Sequence, residues 1–106
     1  MVIKETYIFT DIIQQLMTDD EYVTLQEQLV CFPRSGKLIK GSKGLRKLRW
    51  KTADKGKRGG IRIIYYSLEQ QDQIYLLYAY QKNQQADLTA QQLKQLVALV
   101  KEELET

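Results

Sequence analysis

The sequence predicts an α+β domain: a small antiparallel β-sheet of about four strands, two helices near the N-terminus and one at the C-terminus. Three observations carry that expectation. Segments with a two-residue period and β-branched or aromatic content lie at 45–50, 61–68 and 73–82, and capped segments with helical spacing lie at 19–31 and after Thr89. The length, 106 residues with 43% apolar, suffices for one core and not for two, so residues 1–106 are read as a single domain.

Taken in order, Val2 to Phe9 alternates loosely and contains Tyr7, Ile8 and Phe9, which suits a first strand. Thr10 or Asp11 then stands where it can cap a short helix over Ile12, Ile13 and Leu16. Thr18-Asp19-Asp20-Glu21 has the Thr-x-x-Glu form of a capping box ahead of Tyr22, Leu25, Leu29 and Val30, and its acids suit the positive end of a helix dipole. A helix over about 19–31 follows, stopped by Pro33. Cys31 closes that amphipathic segment and is expected as a buried structural thiol; as the sole cysteine it excludes an internal disulfide.

A loop containing Arg34, Ser35, Gly36, Gly41 and Gly44 leads to a strand from Leu45. In it Leu45, Lys47 and Arg49 point one way, with Arg46, Leu48 and Trp50 the other, so that Trp50 anchors the core beneath the helices. The stretch 54–60 reads as a Gly-rich turn, Ile61 to Leu68 and Gln73 to Lys82 as two further strands, and Glu69 to Asp72 as their hairpin turn. Three consecutive antiparallel strands result. Thr89, with Gln92 three residues on, opens a last helix whose Leu93, Leu96, Val97, Val100 and Leu104 form an apolar stripe for core packing.

Charge is distributed very unevenly. Between Arg34 and Arg62 twelve Lys or Arg residues stand against one acid, Asp54, whereas the rest of the chain carries four basic and twelve acidic residues. Such segregation repels itself in the folded state, so a polyanionic partner is expected, nucleic acid foremost. No apolar run approaches the roughly 20 residues of a membrane span, and Met1 to Thr10 lacks the layout of a signal peptide; a soluble cytoplasmic protein without membrane contact is expected. With no histidine, the common zinc-site spacings and the Ser/His and Cys/His nucleophile pairs are unavailable, and no metal or other cofactor is expected.

Lys47 and Arg49 on one strand and Arg62 on the next can share a sheet face, an unfavourable grouping unless an anion lies among them. Gly56-Lys57-Arg58-Gly59-Gly60 has the composition of a phosphate-binding turn, although it is not a Walker loop. Of the seven tyrosines, Tyr65, Tyr66, Tyr75 and Tyr78 are expected as core or half-buried sheet positions, while Tyr80 falls on the side of Lys82 and is the leading candidate for ligand contact.

The blocks Gly41-Ser-Lys-Gly-Leu-Arg-Lys-Leu-Arg-Trp50, Lys55-Gly-Lys-Arg-Gly-Gly-Ile-Arg-Ile-Ile-Tyr-Tyr66, Ile74-Tyr-Leu-Leu-Tyr-Ala-Tyr-Gln-Lys-Asn83 and Asp87-Leu-Thr89 resemble the signature blocks of HigB-type toxins in the RelE/ParE superfamily. The resemblance spans about 41–89; the first 40 residues and the last helix agree only in pattern. It implies a RelE-like fold, ribosome-dependent cleavage of messenger RNA in the A site, and restraint by a cognate antitoxin. HigB antitoxins usually carry a helix-turn-helix, so the implied partners are the 70S ribosome and mRNA, a HigA-like antitoxin, and DNA only indirectly through the antitoxin complex.

By resemblance, Arg62 matches an arginine that holds the scissile phosphate, Lys47 and Arg49 match a basic pair on the preceding strand, and Lys82 falls near a basic residue after the last strand. Leu88 stands about where RelE has a tyrosine, and Tyr80 is its proposed substitute. Lys43, Arg46, Lys55, Lys57 and Arg58 are expected to bind substrate or ribosomal RNA. Without histidine or metal, cleavage would proceed by 2′-hydroxyl attack on the adjacent phosphate, with Lys, Arg and Tyr moving protons and stabilising charge, and with Lys47 as the candidate base because crowding cations disfavour its protonated form. Two alternatives belong to other classes: a ParE-like inhibitor of DNA gyrase, and a non-catalytic RNA- or ribosome-binding module.

Overall fold

The computed structural model describes residues 1–51 and 60–104. Its elements run β1 (Val2–Glu5), α1 (Tyr7–Leu16), α2 (Asp19–Cys31), β2 (Lys37–Leu38), β3 (Arg46–Trp50), β4 (Ile61–Leu68), a short 3-10 helix (Glu69–Gln71), β5 (Gln73–Gln81) and α3 (Ala90–Leu104). The strands form one sheet in the order β1-β5-β4-β3-β2. β2 to β5 pair antiparallel, whereas β1 lies parallel to β5, with Val2 opposite Gln73 and Glu5 opposite Leu76.

This is the expected α+β fold with one strand more than expected and one parallel edge. β2 has two residues, too few for a period to register in the sequence. The first strand is also shorter than Val2 to Phe9 and the first helix begins earlier. Thr6, not Thr10 or Asp11, caps α1: its hydroxyl accepts from the Phe9 N–H at 3.0 Å and donates to the Leu77 carbonyl at 2.9 Å. Tertiary packing decides the point, because only a helix from Tyr7 buries Phe9, Ile13 and Leu16 on one side.

α2 has the predicted bounds and the full Thr18–Glu21 capping box. Cys31 is exposed, contrary to expectation, because the buried stripe of α2 runs through Leu25 and Leu29 and the last turn carries Cys31 past it. The hairpin turn closes at Asp72, whose φ of 56° is left-handed. Thr89 and Gln92 form the expected reciprocal cap at the start of α3, at 3.0 Å in each direction.

The sheet separates two cores. One joins α1 and α2 to Leu48, Ile61, Ile63, Tyr65, Ile74, Leu76 and Ala79, with Trp50 packed at its margin as expected. The other joins α3 to Leu45, Ile64, Leu77 and Tyr80, with Tyr66, Tyr75 and Tyr78 partly buried beside them. A β-bulge sets which β5 residues reach the second core: Tyr65 pairs Leu76 and Ile64 pairs Tyr78, so Leu77 is left out of the ladder. Leu77 and Tyr78 both face α3, and everything beyond them is shifted by one.

Candidate nucleic-acid face

The antiparallel register sets Arg49 opposite Arg62 and Arg62 opposite Tyr80, one row across three adjacent strands. Directly paired residues share a face, so this row lies on the α3 side of the sheet. Lys47, two residues before Arg49, shares that face opposite Ile64. Lys82 follows Tyr80 by two, and its backbone N–H donates to the Gly60 carbonyl at 3.1 Å, which holds it at the Ile61 end of β4. The bulge at Leu77 takes up the extra residue and so keeps Tyr80 in this row; with all of β5 in one unbroken alternation, Leu77 included, Tyr80 would face α1 and α2.

Gly60 makes the end of the row possible. Its φ is +73°, and a Cβ there would stand 2.4 Å from the Trp50 carbonyl oxygen. Only glycine lets the chain enter β4 that close to β3 and so fix the Arg49–Arg62 register.

Arg62 and Tyr80 are buried, at 7% and 5% exposure, whereas Arg49 and Lys82 are exposed and Lys47 lies between. Asp87, an acid that sequence reasoning used only as part of a signature block, stands among them. Its Oδ1 accepts from the Leu88 N–H at 2.8 Å, from Lys47 Nζ at 3.2 Å and from the Tyr80 hydroxyl at 3.5 Å. Lys82 Nζ donates to the Ala86 carbonyl at 2.6 Å. The Leu88 N–H and the Lys47 charge hold the Asp87 carboxyl below its ordinary value, with Lys82 acting in the same direction.

Burial, reinforced by the Asp87 charge and opposed by Arg62, pushes the Tyr80 hydroxyl up to about 12. It is therefore neutral near pH 7, able to donate a hydrogen bond or a proton but not to serve as a phenolate. Lys47 rests against an acid rather than among cations alone.

The remaining basic candidates divide. Lys55, Lys57 and Arg58, with the turn expected at 54–60 up to residue 59, lie outside the described residues. Arg46 points to the other side of the sheet, where its guanidinium donates to the Gly36 carbonyl at 2.8 Å; it is a strut for the loop before β2 and not a neighbour of Arg49. Lys43, at φ 59°, lines a cavity of about 580 Å³ with Tyr66, Ser67, Val100 and Lys101. That cavity lies at the far end of β4, about 13 Å of strand from Arg62. Lys43 and Arg46 therefore stand apart from the row, Arg46 on the opposite face as the alternation of β3 predicts.

The three helices and single sheet of the described residues have a known fold. The crystal structure of the intact E. coli RelBE toxin-antitoxin complex contains a chain that superposes with a TM-score of 0.58, covering 76% of this chain and 94% of that one at 11% identity. At that identity the likeness is one of fold. Residues 39–106 match the family described as the RelE toxin of the RelE / RelB toxin-antitoxin system, and the chain belongs to that family. Among the described residues no helix is long and apolar enough to cross a membrane.

Proposed function

We propose that this toxin is a ribosome-dependent endoribonuclease of the HigB type that cuts translated messenger RNA in the A site. The observation that carries the reading is the Arg49–Arg62–Tyr80 row, flanked on the same face by Lys47 and Lys82. In the reaction a ribose 2′-hydroxyl loses its proton to solvent and its oxygen attacks the neighbouring phosphorus, while the bond to the 5′-oxygen breaks and that oxygen takes up a proton, giving a 2′,3′-cyclic phosphate and a 5′-hydroxyl. Arg62 and Arg49 stabilise the negative charge that builds on the phosphoryl oxygens, Lys47 and Lys82 steer the chain, and neutral Tyr80 donates toward the departing oxygen.

Arginine is a poor proton carrier, and Lys47 is engaged by Asp87, so the chain supplies charge stabilisation more readily than a base. Rigid presentation of the codon by the ribosome provides the missing orientation. The RelBE relative is a toxin in complex with its antitoxin, which supports an antitoxin partner here as well; we assign it the HigA-like helix-turn-helix type, with DNA contacted through that partner. The protein then works in the cytoplasm, without a membrane and without a cofactor.

The test is to map RNA 5′ ends after brief expression. In-frame breaks inside translated regions are expected, with little cutting of naked RNA by the purified protein. Equal cutting of free and translated RNA removes the ribosome from the account. Growth arrest with intact messages and inhibited gyrase moves the protein to the ParE-like class, and ribosome binding without any cut makes it a binding module.

A further inference from the structure

We propose that Asp87 is the chain's own stand-in for phosphate: its carboxylate occupies Lys47 in the RNA-free protein, and RNA must displace it to engage that lysine. The inference rests on the RNA-binding reading of the same face.

The geometry is that of a bound anion. A single carboxylate oxygen takes the Lys47 ammonium, the Leu88 N–H and the Tyr80 hydroxyl at 3.2, 2.8 and 3.5 Å. A phosphodiester oxygen carries the same unit charge and seeks the same donors. The Leu88 N–H keeps the carboxylate in place from within its own turn, and Gln85 Nε2 donates to the Asp87 carbonyl at 2.9 Å. With Lys82 on the Ala86 carbonyl, the connection between β5 and α3 is fastened to the basic face by two of the cations assigned to RNA.

The fastening is also reachable and weak. The Lys47 and Asp87 side chains are 32% and 67% exposed, and ion pairs that accessible exchange readily for another anion. One phosphate gains little by replacing Asp87, whereas a strand held at several phosphates replaces it as part of a larger contact. Asp87 thus weakens binding of stray RNA and favours RNA already held in place, as on a ribosome.

The experiment measures binding of the full-length protein to a fluorescent single-stranded oligoribonucleotide by anisotropy over a series of salt concentrations. Asp87→Asn, which keeps an oxygen for the Leu88 N–H, is expected to bind about two- to fivefold tighter at low salt. Its dependence of log affinity on log salt is expected to steepen by about 0.7, one further phosphate contact to a single strand. Asp87→Ser serves as a second variant with a short acceptor, and Glu102→Gln, an exposed acid near the far end of α3, controls for the change in net charge. In the Lys47→Ala background Asp87→Asn is expected to add nothing.

Unchanged or weaker binding by both Asp87 variants overturns the proposal, as does a gain that survives loss of Lys47 or is matched by Glu102→Gln. If Lys47→Ala and Arg62→Gln weaken RNA binding while the Asp87 variants change nothing, the stand-in role fails and the RNA face stands. If neither cation matters to RNA binding, the functional reading itself has failed.

Discussion

On the α1 and α2 side of the sheet, Ile61, Ile63, Tyr65, Ile74 and Leu76 are wholly buried, and the one hydroxyl among them is fully used: Tyr65 donates to the Pro33 carbonyl at 2.9 Å and accepts from the Gly36 N–H at 2.8 Å. On the α3 side, Ile64 and Leu77 are as deeply buried, but the same strands also carry Lys47, Arg49, Arg62, Tyr78 and Tyr80. The first face is apolar where α1 and α2 cover it, with Arg46 at its margin. The second is apolar where α3 covers it and cationic beyond. The difference teaches that grouping like charges on one side of a sheet is tolerable when the opposite side supplies the hydrophobic stabilisation.

If that division of labour holds, substitutions should separate cleanly into those that stop chemistry and those that unfold the chain. The largest expected effect is on chemistry: Arg62→Gln should lower cleavage of translated message by about 10²–10³, the usual cost of losing one charge-stabilising donor, with the circular dichroism spectrum retained. Cleavage within a few-fold of wild type, measured by counting RNA ends on stalled ribosomes, would remove Arg62 from the site.

Next, Ile63→Ala on the same strand should cost about 2–5 kcal/mol in urea unfolding by leaving a cavity, whereas Lys47→Ala should cost less than about 1 kcal/mol. Equal costs would mean that the two faces share the load. A smaller effect belongs to Tyr22, whose hydroxyl donates to Glu5 beside the first core. Burial first, then the Glu5 carboxylate, raises its pKa well above the ordinary 10.0. The neutral form is thus favoured by folding; its contribution is full below pH 10 and is lost as pH rises beyond that toward the folded value. Tyr22→Phe should cost about 1–2 kcal/mol at pH 7 and flatten the alkaline loss of stability, read from thermal unfolding between neutral and strongly basic pH.

The smallest effect is at Asp87. Its depressed pKa means stability that is present above the ordinary carboxylate value of 3.8 and is lost as pH falls through the lower folded value. Because the side chain is exposed, Asp87→Asn should change the acid limb of the stability curve only slightly. A large change there would place Asp87 in the architecture rather than at the rim of the basic face.

What the sequence revealed depended on how far apart the interacting residues are. The Thr18–Glu21 and Thr89–Gln92 caps were legible to the residue because each is closed within one turn of chain. The face shared by Lys47, Arg49 and Arg62 was legible because it needs only alternation and one hairpin pairing. Thr6 was missed as a cap because Thr10 and Asp11 offer the same local chemistry, and the deciding contact, to Leu77, is 71 residues away. The parallel β1–β5 edge is equally nonlocal. Asp87 was missed as a site residue because its partner Lys47 lies 40 residues back and nothing in the intervening sequence announces the meeting.

The unpaired Leu77 carries a last consequence. Because the residues before and after it pair as they would in its absence, the surplus residue adds a buried leucine to the core under α3 without changing the faces of its neighbours. Excising Leu77 would leave Leu76 opposite Tyr65 and Tyr78 opposite Ile64 in one unbroken alternation, so Tyr80 would stay beside Arg62 and only a buried side chain under α3 would be lost. Homologues one residue shorter here should therefore keep the Arg49–Arg62–Tyr80 row over a smaller core.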